Sequence, residues 1–210
     1  RLLAAGADEA DLYRLATDLL IDLHRRPVAD AVPAGLPFYD DSRLIDEAAL
    51  LTDWYMAPVL GSPPADATRR EFCDLWRFAL RTARQVPESL VLRDYHVDNL
   101  MRLEGRAGIR ACGLLDFQDA LRGPVAYDFV SLIEDARRDI SDDIVAEMRG
   151  RYLDSFPALD REAFDASVAV LGAQRHAKVI GIFTRLCVRD GKPVYLDHIP
   201  RVWRLLERAC

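Results

Sequence analysis

Helical periodicity runs along both ends of this 210-residue chain and breaks in the middle, between Pro87 and Pro124. That interruption constrains the fold more than any other feature. On the N-terminal side, residues 9–26 place Leu12, Leu15, Ala16, Leu19 and Leu23 at helical spacing on one face. Pro27, Pro33 and Pro37 then impose a loop, and the spacing predicts further helices over 43–57 and 67–85. The last of these turns Phe72, Leu75, Trp76 and Ala79 to one side, and Pro87 stops it. Beyond Gly123–Pro124 the pattern is helical again, over 126–138, 142–155, 161–189 and 198–209, with Phe183 and Leu186 suited to a core.

The middle reads differently. Ser89–Leu92 and Leu100–Leu103 are short strand candidates, Glu104–Gly108 has the composition of a hairpin turn, and Ile109–Leu115 returns as a strand. The expected class is α+β, mostly helical, with a small β-hairpin. No repeat, low-complexity segment or linker divides the chain, so one domain over 1–210 is expected.

The two ends of this hairpin carry the chemistry. LRDYHVDNLM (Leu92–Met101) packs Asp94, His96, Asp98 and Asn99 into six residues, and GLLDFQDA (Gly113–Ala120) places Asp116 after an apolar run. Asp and Asn are ordinary turn formers. Phosphoryl transfer from ATP, however, needs this set: a carboxylate that orients a hydroxyl and takes its proton, and hard oxygen ligands for a cation on the phosphates. Asp94 fits the base, and Asn99 and Asp116 fit magnesium. In a buried loop such groups would need partners or a cation. His96 suits an orienting hydrogen bond to the neighbouring loop, with a contact to phosphate or acceptor as the alternative. Asp98 suits a cap on the loop backbone, with a second metal or the sugar as the alternatives.

Composition excludes several other classes. A net charge of −6 is wrong for a broad nucleic-acid surface. No apolar run approaches the roughly 20 residues of a membrane span. Cys73, Cys112, Cys187 and Cys210 are far apart and form no CxxC pair, which suits reduced thiols in a cytoplasmic protein rather than a disulfide frame or zinc site.

LRDYHVDNLM resembles the catalytic loop of the aminoglycoside phosphotransferase-like kinases, whose usual form is HGDLHPGNLL. LLDFQDALRGPVAYDFVSL is similar to that family's metal-binding segment, IDFxxxxxGDPxxDLA, and DLLIDLHRRP to its LxxLH helix. Leu92 and Arg93 stand where the family form has His and Gly, and Pro124 follows Gly123 where the family has an acidic residue. The resemblance implies a protein-kinase-like fold, ATP and Mg2+ as cofactors, Asp94 as catalytic base, and Asn99 and Asp116 as metal ligands. Asp128 matches a later, mainly structural Asp. Those segments, with AYDFVSLIEDARRD and GIFTRLCVRDGKPVYL, further resemble bacterial kinases of cell-wall recycling that phosphorylate N-acetylmuramate and N-acetylglucosamine at the anomeric hydroxyl.

An acceptor carboxylate would want an Arg fork. Arg137 and Arg138 in EDARRD, or Arg175 in GAQRHAK, are the candidates, although EDARRD also suits a solvated helix end. His24 closes an amphipathic helix, where a cation suits the dipole. Trp54 and Tyr55 suit either sugar stacking or the core. Aminoglycoside, choline or ethanolamine acceptors stay open, as does a non-catalytic pseudokinase-like binding module. Neither GxxxxGK[ST] nor GxGxxG occurs in the chain. Kinases of the family it resembles carry a phosphate-covering loop and an ATP-binding Lys in an N-terminal lobe, so the resemblance implies a C-terminal kinase lobe that needs such a nucleotide-binding lobe, and little or no turnover from the chain alone.

Overall fold

The computed structural model describes residues 2–210, with the side chain of Ala4 excepted. It is mostly helical with two small antiparallel sheets. The described residues form two compact units. The first comprises residues 2–38, Val86–Asp135 and Asp139–Arg161; the second comprises Tyr39–Gln85, Ala136–Arg138 and Glu162–Cys210.

In the first unit, α1 (Glu9–Arg25) starts where the Asp8 side chain accepts the Asp11 backbone N–H at 3.0 Å. Its buried residues are Tyr13, Ala16, Thr17, Leu20 and Ile21, a stripe at i, i+3, i+4, i+7 and i+8. The buried face is thus turned away from the expected one. Leu12 and Leu15 stay half-buried because they line a cavity instead of packing into the core. A short α2 follows at Val28–Ala31.

The strands are β1 (Glu88–Val91), β2 (Leu100–Arg102), β3 (Cys112–Leu114) and β4 (Leu121–Pro124). β2 pairs antiparallel with β3, Leu100 opposite Leu114 and Arg102 opposite Cys112. β1 pairs antiparallel with β4, Glu88 opposite Pro124 and Val91 opposite Leu121. Two features of this region depart from the sequence reading. The strand expected over 109–115 is a 3-10 turn at Gly108–Ala111 followed by three strand residues, and β4 was not expected at all.

After β4 comes α6 (Ala126–Ile133), all eight of its residues buried. Its end at Ile133 is earlier than expected, and EDARRD lies outside it with Asp135 and Ala136 buried, not as a solvated helix end. Next comes α7 (Asp142–Asp154), capped by Ser141, with Met148, Tyr152 and Leu153 buried. Tyr152 packs between Phe129 and Phe156, with ring centroids 5.2 and 4.9 Å away.

The second unit is helical throughout: α3 (Asp41–Ala48), a π-helical turn (Leu51–Tyr55), α4 (Met56–Leu60), α5 (Asp66–Ala83), α8 (Arg161–Asp190) and α9 (Ile199–Ala209). Its core joins Ala48, Leu51, Ala177, Ile180, Phe183 and Val202. Gly181 lets α8 approach the chain before the π turn, since a Cβ there would sit 2.3 Å from the Leu50 carbonyl. Tyr55 packs edge-on against Trp203 at 5.4 Å, which settles it as a core aromatic. On α5, Phe72 and Trp76 pack against the core while Leu75 is 64% exposed, because it lies well round the helix from the Cys73–Leu80–Ala83 stripe. No described helix is long and apolar enough to cross a membrane.

Candidate active site

The β2–β3 register brings the two acidic loops together. Continuing it past Leu100 and Leu114, the Leu115 N–H donates to the Asn99 carbonyl at 2.9 Å. Asn99 therefore lies one step from Asp116 at the open end of the hairpin. Asp116 adopts a φ of +58°, a conformation Asp tolerates better than most residues. The turn Phe117–Ala120 closes through an N–H···O bond of 3.1 Å, and Gln118 Nε2 donates to Asp116 Oδ1 at 2.8 Å.

The loop from Leu92 to Asn99 is held from behind. The buried carboxylate of Asp128 accepts the Leu92 N–H at 2.5 Å and the Arg93 N–H at 2.9 Å. Two successive N–H groups converging on one anion make a small backbone nest, and Arg93 closes it at a φ of +70°. That conformation costs a residue bearing a Cβ about 1–2 kcal/mol. Ser131 Oγ donates to the Arg93 carbonyl at 3.5 Å, and Arg93 Nη1 donates to the Asp119 carbonyl at 3.4 Å. Tyr95 anchors the other side: its buried hydroxyl donates to the Ala16 carbonyl at 2.8 Å. Burial raises the Tyr95 pKa well above its ordinary value, so the phenol stays a donor.

With Leu92, Arg93 and Tyr95 tied down, Asp94 projects into solvent. Asp116 is exposed as well. These carboxylates are not in the buried surroundings expected from sequence, so desolvation does not force a cation on them. His96 is buried, and its Nε2 lies 3.4 Å from Asn99 Nδ2. Asn99 Nδ2 donates to the Asp94 carbonyl at 3.0 Å, which leaves the side-chain oxygen Oδ1 of Asn99 as the atom it can offer to a cation. An amide oxygen next to a carboxylate is a donor set that suits magnesium rather than zinc. Among the described residues no group of three or more His, Cys, Asp or Glu gathers as a metal cluster. Asp98 is exposed and makes no hydrogen bond to the loop backbone among the described residues, so the expected cap is not formed.

Beside the hairpin is a cavity of about 600 Å³. Tyr13, Ala16, Met101, Cys112, Leu115 and Leu132 give it an apolar lining, and Asp98 and Arg102 border it. Burial pushes the Cys112 thiol up to about 11, so this cysteine is a neutral wall at neutral pH.

The arginines proposed for an acceptor belong to the second unit. Arg137 lies over the Phe183 ring at 5.6 Å, and Arg138 is half-buried. Arg175 is only 5% exposed on α8, so its guanidinium serves the interior of that unit rather than a solvent-borne carboxylate. His24 also differs from expectation. Its Nδ1 is 2.7 Å from Tyr152 Oη, and burial pulls the imidazole down to about 4, against the Leu90 backbone carbonyl. It is neutral at pH 7 and adds no charge to the helix dipole.

Sequence reading missed Tyr95, Gln118, Ser131 and the cavity. The one signal for Tyr95 was its place next to Asp94: where one side chain of a tight loop is exposed, its neighbour can turn inward.

Comparison with known proteins bears on this arrangement. Residues 3–164 match the family described as "Phosphotransferase enzyme family". An N-acetylmuramate/N-acetylglucosamine kinase of Caulobacter vibrioides is 38% identical over 231 residues, covering 99% of this chain and 58% of the relative. A protein of the same name from Pseudomonas aeruginosa is 40% identical over 214 residues, covering 97% of this chain and 59% of the relative. The chain thus spans about three fifths of the length of the curated relatives it matches. Among solved structures, a Ralstonia eutropha protein assigned as an aminoglycoside phosphotransferase superposes with a TM-score of 0.60 at 15% identity, covering 95% of this chain and 64% of that one. This last likeness is one of fold.

Proposed function

The chain belongs to the phosphotransferase enzyme family, and on that premise we propose that it carries the catalytic and cation-holding part of an ATP-dependent sugar kinase. The acceptor is N-acetylmuramate or N-acetylglucosamine, phosphorylated at the anomeric hydroxyl, as cell-wall recycling in the cytoplasm would require. One observation carries the reading: an exposed Asp94 on a loop tied down on both sides, with Asn99 and Asp116 side by side at the hairpin end. The names of the relatives support the choice of acceptor.

Asp94 accepts a hydrogen bond from the acceptor hydroxyl, orients its oxygen toward the γ-phosphorus and takes the proton as the phosphoryl group arrives. Asn99 and Asp116 would hold magnesium, which when bound offsets the phosphate charge. The apolar cavity beside Met101 and Leu115 is within the size range of ligand pockets and suits a nucleotide base. In this reading the chain is the C-terminal kinase lobe, the part of a longer enzyme that carries both loops.

The test joins this chain to the part of the Caulobacter relative that it does not span and follows ADP release with magnesium-ATP and each sugar. Turnover on the amino sugars should fall about 10²–10⁴-fold in Asp94→Asn, the usual contribution of a positioned base. An Asp94→Asn protein that turns over like its parent sinks the reading. Turnover confined to kanamycin keeps the mechanism and replaces the acceptor.

A further inference from the structure

Arg93 occupies a backbone position that a residue without a Cβ would occupy at no steric cost. The turn itself does not need the arginine side chain. It is imposed by Asp128, which takes the Leu92 and Arg93 N–H groups, and by Ser131, which bonds the Arg93 carbonyl. The side chain is therefore kept against a strain that its own backbone contacts do not explain.

What it reaches is the other loop. Arg93 Nη1 donates to the carbonyl of Asp119, three residues beyond Asp116 and inside the turn closed by Ala120 N–H and the Phe117 carbonyl. Asp94 is the residue after Arg93, and Asp116 immediately precedes that turn. The β2–β3 ladder fixes Asn99 against Leu115 but stops there. From that point the chain leaves the ladder, and the spacing of the exposed Asp94 from the exposed Asp116 depends on other contacts. We propose that Arg93 is a positioning residue that bridges the Asp94 loop to the Asp116 turn and so sets the acceptor-orienting carboxylate against the cation-holding one. The proposal rests on the kinase reading above and adds to it the element that couples its two halves.

An arginine suits this task because its planar fork can hold a carbonyl while the rest of the guanidinium meets other groups of the same turn. A lysine retains the charge and loses the fork. Two variants in the joined protein test the idea, Arg93→Gly and Arg93→Lys, beside Asp94→Asn. Arg93→Gly should fold with an unfolding midpoint equal to or above the parent's, since the backbone relaxes. Its kcat should fall about 10–100-fold with the sugar KM within twofold, and Arg93→Lys should recover part of the loss. Amide hydrogen exchange over Asp116–Ala120 should accelerate in Arg93→Gly and not in Asp94→Asn.

Unchanged exchange over Asp116–Ala120 in Arg93→Gly overturns the bridge, whatever turnover does. An unchanged kcat in Arg93→Gly, while Asp94→Asn is inactive, overturns the positioning role and leaves the kinase reading standing. Turnover indifferent to Asp94→Asn removes the kinase reading, and the positioning role falls with it.

Discussion

Asp128 is a buried carboxylate whose two oxygens accept successive backbone N–H groups at the start of the loop that carries Asp94. Hydrogen bonds to a charged acceptor contribute about 1.5–3 kcal/mol each, and removing the acceptor leaves both donors unsatisfied. Asp128→Ala should therefore cost about 3 kcal/mol or more in urea unfolding, and Asp128→Asn, which loses the charge and keeps the shape, should fall between. His24 yields a prediction about pH. Its folded pKa of about 4 is below the ordinary 6.5, so the unfolded chain binds the proton first as pH falls. The stability linked to neutral His24 is full above pH 6.5 and lost as pH falls toward 4. Between pH 7.5 and 4.5 the loss should be about 2 kcal/mol, and it should be absent in His24→Gln, both read by urea unfolding. Asp94, Asn99 and Asp116 stood out in the sequence because their chemistry depends on residue type and short spacing. The partners of Asp128 and His24 did not, because Leu92 and Tyr152 are far from them along the chain.

At the level of elements, long helices were legible and short ones and strands less so. The expected 161–189 helix is α8, within a residue at its C-terminal end. β4 was not found because LRGP is four residues long, without alternation, and contains both Gly and Pro. The π turn at Leu51–Tyr55 gave no signal, since its residues are as good for an α-helix. Two helical glycines separate packing from propensity. Gly150 on α7 has open space where a Cβ would go, whereas Gly181 on α8 would drive one into Leu50 backbone. Gly150→Ala should stabilise by about 0.5–1 kcal/mol. Gly181→Ala should destabilise by about 1–3 kcal/mol, because backbone must move. Thermal denaturation of the pair, run side by side, reads both signs.

For the molecule as a whole, the four cysteines are all free thiols. Its unfolding midpoint should then be the same with and without a reducing agent; a drop on reduction would reveal a bond the fold does not contain. Under the kinase reading, magnesium and nucleotide bind the folded protein alone. At ligand one hundred times its Kd the joined protein should gain about 2.7 kcal/mol of stability, and EDTA should return the magnesium-dependent part. The two strand pairs are nested: β2 meets β3 inside the segment that β1 and β4 enclose. Closing the inner pair, Leu100 with Leu114, ties a loop less than half as long as closing the outer one, Glu88 with Pro124. Short loops close at smaller entropic cost and reach their contacts sooner. The order of events is then inside out. Asn99 and Asp116 should meet while the chain around them is still searching, with the clamp from Asp128 arriving afterwards; under the kinase reading, a chain caught halfway through folding would already hold the cation pair and not yet aim its base.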